Sequence, residues 1–353
     1  MQTTHTPLER ILQIAGKLSF SLLAAACILS PLALNAAPET TPTPTTSGTT
    51  ATGPVYKLVN KTGKFSDQEC YWTLDGKTWT PFAEQSSVPC PVKNGRIYFA
   101  LGSTAPKSIG DRSSHWDFVE YAANAVGPGK PLPTWHGNTT QVDGFCIPLT
   151  IQMGEKLMGN TGPRTALFEK FRKEAPEIFK PCVVEDKRIV SPCSTPGFRK
   201  GGAQENYFQA YVNEVWAMYA EEKKTPSGKW IGKVEGDALT FKPVDGVGKV
   251  YTCKSKPNTQ DIFMGTGVLG NNPRFCGAFN RHVAADPADW DKPQTYYKAE
   301  PCNWYSKFFH ENSIDNKAYG FCYDDDGGQA AFFSATGPEL TVTLYWDTPP
   351  AKK

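Results

Sequence analysis

Phe118-Val119-Glu120-Tyr121-Ala122-Ala123-Asn124 reads as a β-strand with two unlike faces. Side chains alternate along a strand, so Val119, Tyr121 and Ala123 share one side, suited to a core. Phe118, Glu120, Ala122 and Asn124 share the other. A second stretch, Thr139-Thr140-Gln141-Val142-Asp143-Gly144-Phe145, places Thr139, Gln141, Asp143 and Phe145 together when read the same way. Working outward, Val55–Asn60, Tyr71–Leu74, Lys77–Phe82 and Arg96–Leu101 also carry strand patterns. Asp75-Gly76, between the second and third of these, suits a tight type I′ hairpin. Strands return near the end at Tyr319–Tyr323, Ala331–Ser334 and Leu340–Trp346.

The middle of the chain differs. Pro163 opens a short helix carrying Leu167, Phe168 and Phe171, and a longer helix is expected from about Gln204 to Lys223. Phe208, Tyr211, Val212, Val215, Trp216 and Tyr219 fall at helical spacing there, which marks a core stripe rather than a ligand site. Asn303–Asn312 reads as helical too. The simplest architecture is therefore β-rich, with strands from both ends of the chain and a helix-containing mixed α/β region inserted between them.

The 353 residues include 37 basic and 35 acidic side chains, a formal charge of +2. Nucleic-acid or anionic-membrane partners call for a basic excess, and there is none. Arg10 and Lys17, the apolar run Leu18–Leu34 and the small pair Ala36-Ala37 read as a signal peptide over residues 1–37. Residues 38–54 are nearly all Thr, Pro, Gly, Ser and Ala, the composition of a linker. The mature chain is expected to be secreted or periplasmic, off the membrane, and a monomer. Removing Cys27 leaves nine cysteines, and an exported chain with nine suggests disulfides plus one leftover thiol. Cys70–Cys90 and Cys182–Cys193 are plausible neighbours, although spacing does not fix the connectivity.

If the strands carrying Glu120 and Asp143 are neighbours, their carboxyls overlook one groove. The Gly/Pro-rich loop Gly127–Pro133 and then Trp135 would stand at its rim. One acid that protonates a leaving oxygen and one base that activates water is the pair glycoside hydrolysis needs. A carboxylate on the solvated face of a half-buried strand is nonetheless common, so spacing by itself is only suggestive. Gly265-Thr266-Gly267-Val268-Leu269-Gly270 fits a dinucleotide fingerprint, but Asn271-Asn272-Pro273 discourages the helix that motif requires, so the glycines are read as permitting a tight turn. Asp324-Asp325-Asp326-Gly327 lacks the closing Glu of a calcium loop. No Gly-x-Ser-x-Gly or paired-His zinc motif is present, and no cofactor or metal is expected.

Phe118-Val119-Glu120-Tyr121 followed by Val142-Asp143-Gly144-Phe145-Cys146-Ile147-Pro148-Leu149 resembles paired motifs of thaumatin-like proteins. Asp261-Ile262-Phe263 with Gly265–Leu269, Asn280-Arg281, the run Asn303–Asp315, Lys317–Phe321 and Tyr323-Asp324-Asp325 resemble glycoside hydrolase family 64, in the right order. That resemblance implies a thaumatin-like β-barrel or sandwich over residues 55–150 and 318–348. It also implies an inserted mixed α/β domain over 151–317, with a groove for β-1,3-glucan between the two. Members are inverting endo-β-1,3-glucanases. By motif their general acid falls on Glu120 and their general base on Asp143, with substrate contacts at Asn124, Trp135 and Thr140; Asp325 is read as an acidic wall that orients substrate. Ala122 stands where the family often has Thr, and Cys146 and Cys322 are also departures, with Cys302–Cys322 a local pairing near the cleft. Strict alternation points Thr140 away from Asp143, so contact requires a bulge or an early strand end. The other reading is a thaumatin-like protein that binds β-glucan without cutting it.

Overall fold

The computed structural model describes residues 53–347, apart from 110, 112–113 and 126–131. The signal peptide (1–37) with Cys27, nearly all of the linker (38–54) and most of the loop before Leu132 lie outside the described residues.

Among the described residues, ten strands precede the first α-helix. They are β1 (Val55–Lys61), β2 (Cys70–Thr73), β3 (Thr80–Pro81), β4 (Ser87–Pro89), β5 (Asn94–Leu101), β6 (His115–Asn124), β7 (Thr134–Thr139), β8 (Gly144–Phe145), β9 (Leu149–Met153) and β10 (Lys156–Gly159). Then follow α1 (Arg164–Glu174), β11 (Val183–Val184), β12 (Arg188–Val190), α2 (Gln209–Met218), β13 (Lys223–Lys224), β14 (Trp230–Glu235), β15 (Ala238–Pro243) and β16 (Tyr251–Cys253). The last elements are α3 (Thr259–Met264), α4 (Pro273–Asn280), α5 (Trp304–Glu311), β17 (Phe332–Thr336) and β18 (Glu339–Tyr345).

Two sheets form a sandwich. One is five-stranded, in the order β10-β9-β18-β1-β4; the other is six-stranded, in the order β17-β7-β6-β5-β2-β3. The first draws β1 and β18 together in parallel, Val55 opposite Glu339, so the two ends of the described chain share a sheet. Period-two alternation builds the core between the sheets. Ile97, Phe99 and Leu101 of β5, Val119, Tyr121 and Ala123 of β6, Ile151 of β9 and Leu340, Val342 and Leu344 of β18 all point inward. Each such buried aliphatic or aromatic side chain contributes about 1.5–3 kcal/mol relative to exposure. The same alternation turns Arg96, Glu120 and Asn124 outward, as the strand pattern anticipates.

Residues 164–311 carry the five α-helices of the described residues, a four-stranded antiparallel sheet in the order β13-β14-β15-β16, and β11 and β12, which β8 joins as a third small strand. An aromatic cluster stabilises this part: Phe171 of α1 meets Phe308 of α5 at 4.9 Å and Trp304 at 5.1 Å. Among the described residues no helix is long and apolar enough to cross a membrane.

Several expectations need correction. The long helix is shorter, Gln209–Met218, and Lys223 belongs to β13. Asp75-Gly76 is not a two-residue hairpin: β2 and β3 pair Trp72 with Thr80, and the Asp75 carboxylate accepts from the Lys77 and Thr78 N–H groups across a wider turn. Tyr319–Tyr323 forms turns, not a strand. No disulfide joins Cys70, Cys90, Cys146, Cys182, Cys193, Cys253, Cys276 or Cys302. The expected pairs Cys70–Cys90, Cys182–Cys193 and Cys302–Cys322 are not formed in the structure. The thiols pack as small apolar groups instead, with Cys90 Sγ donating to Tyr56 Oη at 3.3 Å.

Candidate active site

The site is built on the outward face of β5, β6 and β7. Their register sets Arg96 opposite Glu120 and Glu120 opposite Asn138, so one row across three strands reads Arg96, Glu120, Asn138. Arg96 donates to Glu120 Oε1 twice, from Nε at 2.9 Å and from Nη2 at 2.7 Å. Its guanidinium lies 4.3 Å from the Phe118 ring centre, which limits its freedom to swing away. Asn138 Nδ2 stands 3.5 Å from Oε2.

Asp143 does not lie on a strand. β7 ends at Thr139, and Asp143 occupies the bend just before β8. Two anchors place it. On one side, Gln141 donates its N–H to Tyr319 O at 2.8 Å, and its carbonyl accepts from Tyr305 Oη at 2.6 Å. On the other, buried Asp117 of β6 accepts from the N–H groups of Cys146 and Ile147 at 2.7 and 2.8 Å and pairs with Arg188 of β12 at 3.0 Å. Burial pushes Asp117 up to about 6, while Arg188 and the two N–H donors pull it back. It is therefore ionised at neutral pH, where the pair needs it.

The result is that one guanidinium spans both candidate carboxylates. Arg96 Nη1 lies 3.8 Å from Asp143 Oδ2 while Nη2 holds Glu120. The rigid planar fork therefore keeps the facing oxygens within about 9 Å of each other. The Glu120 side chain is 10% exposed and that of Asp143 38%, so one is recessed and the other stands at the opening. Burial pushes the Asp143 carboxyl above its ordinary range, and Arg96 and Arg188 pull it back.

The remaining sequence-based candidates divide. Asn124 is exposed on the Glu120 face, bonded to Thr134 Oγ1 at 3.3 Å, about 13 Å along the strand. Thr140 follows the end of β7, the early ending its contact requires; its hydroxyl accepts the Val142 N–H at 3.1 Å and it is buried. Asp325 is exposed and accepts from Tyr319 Oη at 2.8 Å. The wall around Asp325 pushes its carboxyl up, with neighbouring Asp326 adding to the effect against the Tyr319 bond. Asp324 beside it is committed to Arg281 and His310, so the acidic run is not a cation loop.

Trp135 does not belong here. Its indole is fully buried in the sandwich, 5.2 Å from Phe333, and donates to Tyr56 Oη at 3.1 Å. The ring lies over Gly137, where any β-carbon would collide with it. That glycine makes the room into which the indole turns, so the Trp135 side chain stacks in the core and not on a sugar.

Sequence reasoning missed Arg96, Asn138 and Tyr319. Arg96 heads the outward face of its strand, a visible signal, but only the register shows that Glu120 is its partner. Asn138 is fully buried, and its Oδ1 accepts no hydrogen bond. An orphaned buried acceptor of this kind costs about 1–3 kcal/mol.

Comparison with known proteins bears on the same residues. The family profile described as beta-1,3-glucanase, glycoside hydrolase family 64, matches residues 105–344, well over half of the chain. The chain belongs to glycoside hydrolase family 64. Its match therefore takes in Glu120 and Asp143 but begins beyond Arg96. A glucan endo-1,3-beta-glucosidase of Arthrobacter sp. (strain YCWD3) is 22% identical over 294 residues, covering 72% of this chain and 52% of that protein. One of Cellulosimicrobium cellulans has the same identity and coverage. This family-64 chain thus spans about half the length of the curated relatives it matches.

Among solved structures, a beta-1,3-glucanase domain (GH64) from Clostridium beijerinckii superposes with a TM-score of 0.70 at 25% identity, covering 85% of this chain and all 100% of that one. A family-64 laminaripentaose-producing beta-1,3-glucanase from Paenibacillus barengoltzii, complexed with laminarihexaose, gives a TM-score of 0.62 at 28% identity, covering 83% and 75%.

Proposed function

We propose that this chain is an exported, inverting endo-β-1,3-glucanase in which Glu120 is the general acid and Asp143 the general base. The observation that carries the reading is the Arg96 bridge. It holds two carboxylates on one face with their facing oxygens no more than about 9 Å apart, a ceiling that admits the roughly 6.5–9.5 Å of a pair with an attacking water between them. The same ceiling admits the about 5–5.5 Å of a retaining pair, so inversion rests on the family resemblance and is tested by the product anomer.

The roles follow from the surroundings. Arg96 occupies Oε1 of Glu120, which leaves Oε2 to carry the proton to the glycosidic oxygen. Asp143, at the opening and held basic by burial, takes a proton from water as that water attacks C1 from the opposite face. The leaving sugar departs with the proton from Glu120, and the new anomeric hydroxyl is α. Asn124 and Asp325, exposed at the edges of the same face, bond sugar hydroxyls, and Thr140 supports the bend that carries Asp143. A concavity of about 490 Å³ beside Thr134, His136 and Ser334 extends that face toward β17, giving a polymer more than one place to rest. The laminarihexaose bound to the Paenibacillus barengoltzii enzyme supports the substrate class.

The deciding experiment is a time course of the mature protein on laminarin and curdlan, read for product size and anomer. Short oligosaccharides that are α when first released are expected. Binding to insoluble glucan with no reducing ends formed over hours would instead establish a non-catalytic binder.

The pH profile gives a second test. Asp143 must be unprotonated to act, so activity is lost as pH falls through its carboxyl pKa. Burial raises that value, so the acid limb of kcat/KM is expected above the ordinary Asp value of about 3.9. A limb at or below that value would count against Asp143 as the base.

A further inference from the structure

The two oxygens of Glu120 sit in unlike surroundings. Oε1 takes both bonds from Arg96, while Oε2 faces the Asn138 amide across the β6–β7 register. That amide is sealed from solvent; its Nδ2 reaches Oε2 at 3.5 Å and its Oδ1 has no partner.

We infer that Asn138 is a positioning residue that holds Oε2 of Glu120 in both protonation states, donating to the carboxylate and, after a half-turn of its amide, accepting from the resting acid, whose O–H then turns to the glycosidic oxygen when substrate binds. The inference rests on the reading of Glu120 as the general acid. An amide carries a donor and an acceptor at nearly interchangeable positions, so the half-turn changes the hydrogen bond without changing the shape of the pocket. A partner able only to donate would favour the carboxylate; one able only to accept would favour the acid. One end of this amide is unpaired in either orientation, so the half-turn exchanges one orphaned atom for the other while a partner for Oε2 is kept. A general acid that loses and regains its proton in every turnover needs a neighbour of that kind.

The charged and titratable groups facing Glu120 are Arg96 and Tyr98 from β5, Asp143 from the bend before β8, and Tyr319, whose hydroxyl bonds Asp325, from the segment after α5. All of them remain when only Asn138 is changed.

The test uses the mature protein labelled with 15N-asparagine. The Asn138 side-chain NH₂ resonance is assigned by its absence from Asn138→Leu, then followed from about pH 4 to 9 across the carboxylate range and beyond. It is expected to titrate with the same midpoint as the alkaline limb of kcat/KM on a linear β-1,3-gluco-oligosaccharide, and not to titrate in Glu120→Gln. Asn138→Asp sets a second carboxyl against Oε2 and should move that limb up by about one unit or more. Asn138→Leu should lower kcat about 10- to 100-fold with KM nearly unchanged, since only the alignment of the acid is lost. An amide signal that stays still across the alkaline limb overturns the inference, as does a wild-type limb in a folded Asn138→Asp. If Glu120→Gln keeps wild-type activity, the acid assignment itself has failed, a result distinct from either of these.

Discussion

Glu120→Gln is expected to lower kcat on linear β-1,3-glucan by about 10²–10⁴-fold, the range that positioned proton transfer supplies, and Asp143→Asn by a similar factor. Neither change should move the melting temperature far. Gln and Asn keep the size of the side chains they replace. The Asp143 pair with Arg96 is partly solvated, at 38% exposure for Asp143, where ion pairs contribute little, and the recessed Gln that replaces Glu120 keeps an amide oxygen able to accept from Arg96. KM should hold, because neither substitution removes a group that distinguishes bound from free glucan. The double variant should be scarcely worse than the poorer single one, since acid and base act in the same displacement and losing either removes the concerted route. Steady-state rates on a defined oligosaccharide, with melting curves beside them, check all of this. Full activity in Glu120→Gln would end the assignment.

How much of this was readable in advance depended on whether the information was local. The two faces of β6 were legible because alternation is a property of a single strand: the residues that turned inward were Val119, Tyr121 and Ala123. The α1 stripe of Leu167, Phe168 and Phe171 was legible for the same reason. The turn role of Gly265 and Gly267 was too, both lying at positive φ where α3 ends. What escaped was whatever depends on pairing between distant segments. Asp143 was read onto a strand, whereas the chain leaves the sheet at Thr139 because Gln141 is claimed by Tyr319 and Tyr305, more than 150 residues away. Trp135 was read as a sugar platform because nothing local reveals that Gly137 and Tyr56 make room for it in the core. Arg96 stood in plain view, but a register is needed to place it against Glu120.

The second large effect lies behind the site. Arg281→Met is expected to destabilise the protein by about 3–5 kcal/mol, the usual cost of stripping one partner from a buried ion pair. Arg281 is 1% exposed and donates to both the carbonyl and the carboxylate of Asp324, each at 2.9 Å, while Asp324 is fully buried and also bonded to His310 at 2.9 Å and the Gly320 N–H at 2.8 Å. Burial alone would raise the Asp324 carboxyl; His310, Arg281 and the Gly320 N–H reverse this and hold it below the ordinary range. The sign for pH follows. A carboxyl depressed in the folded state adds stability that is fully present above its unfolded value, near 3.9, and is lost as pH falls through the folded one. The stability gap between wild type and Asp324→Asn should therefore narrow as pH falls below about 4. Replacing both partners, Arg281→Met with Asp324→Leu, should recover part of the loss, because no charge is then left buried without a counterpart. Urea melts of the four proteins at two pH values decide it. If Arg281→Met cost less than about 1 kcal/mol, the pair would be no more than a surface bridge in its energetics. Activity gives a further readout. Asp324 sits between Tyr319 and Asp325, and the Gly320 and Ser306 bonds it accepts fix the segment that lines the cleft. A variant that still folds without this pair should show a raised KM before any loss in kcat, since it is the proposed substrate wall at Asp325 that loosens while Glu120 and Asp143 remain tied through Arg96.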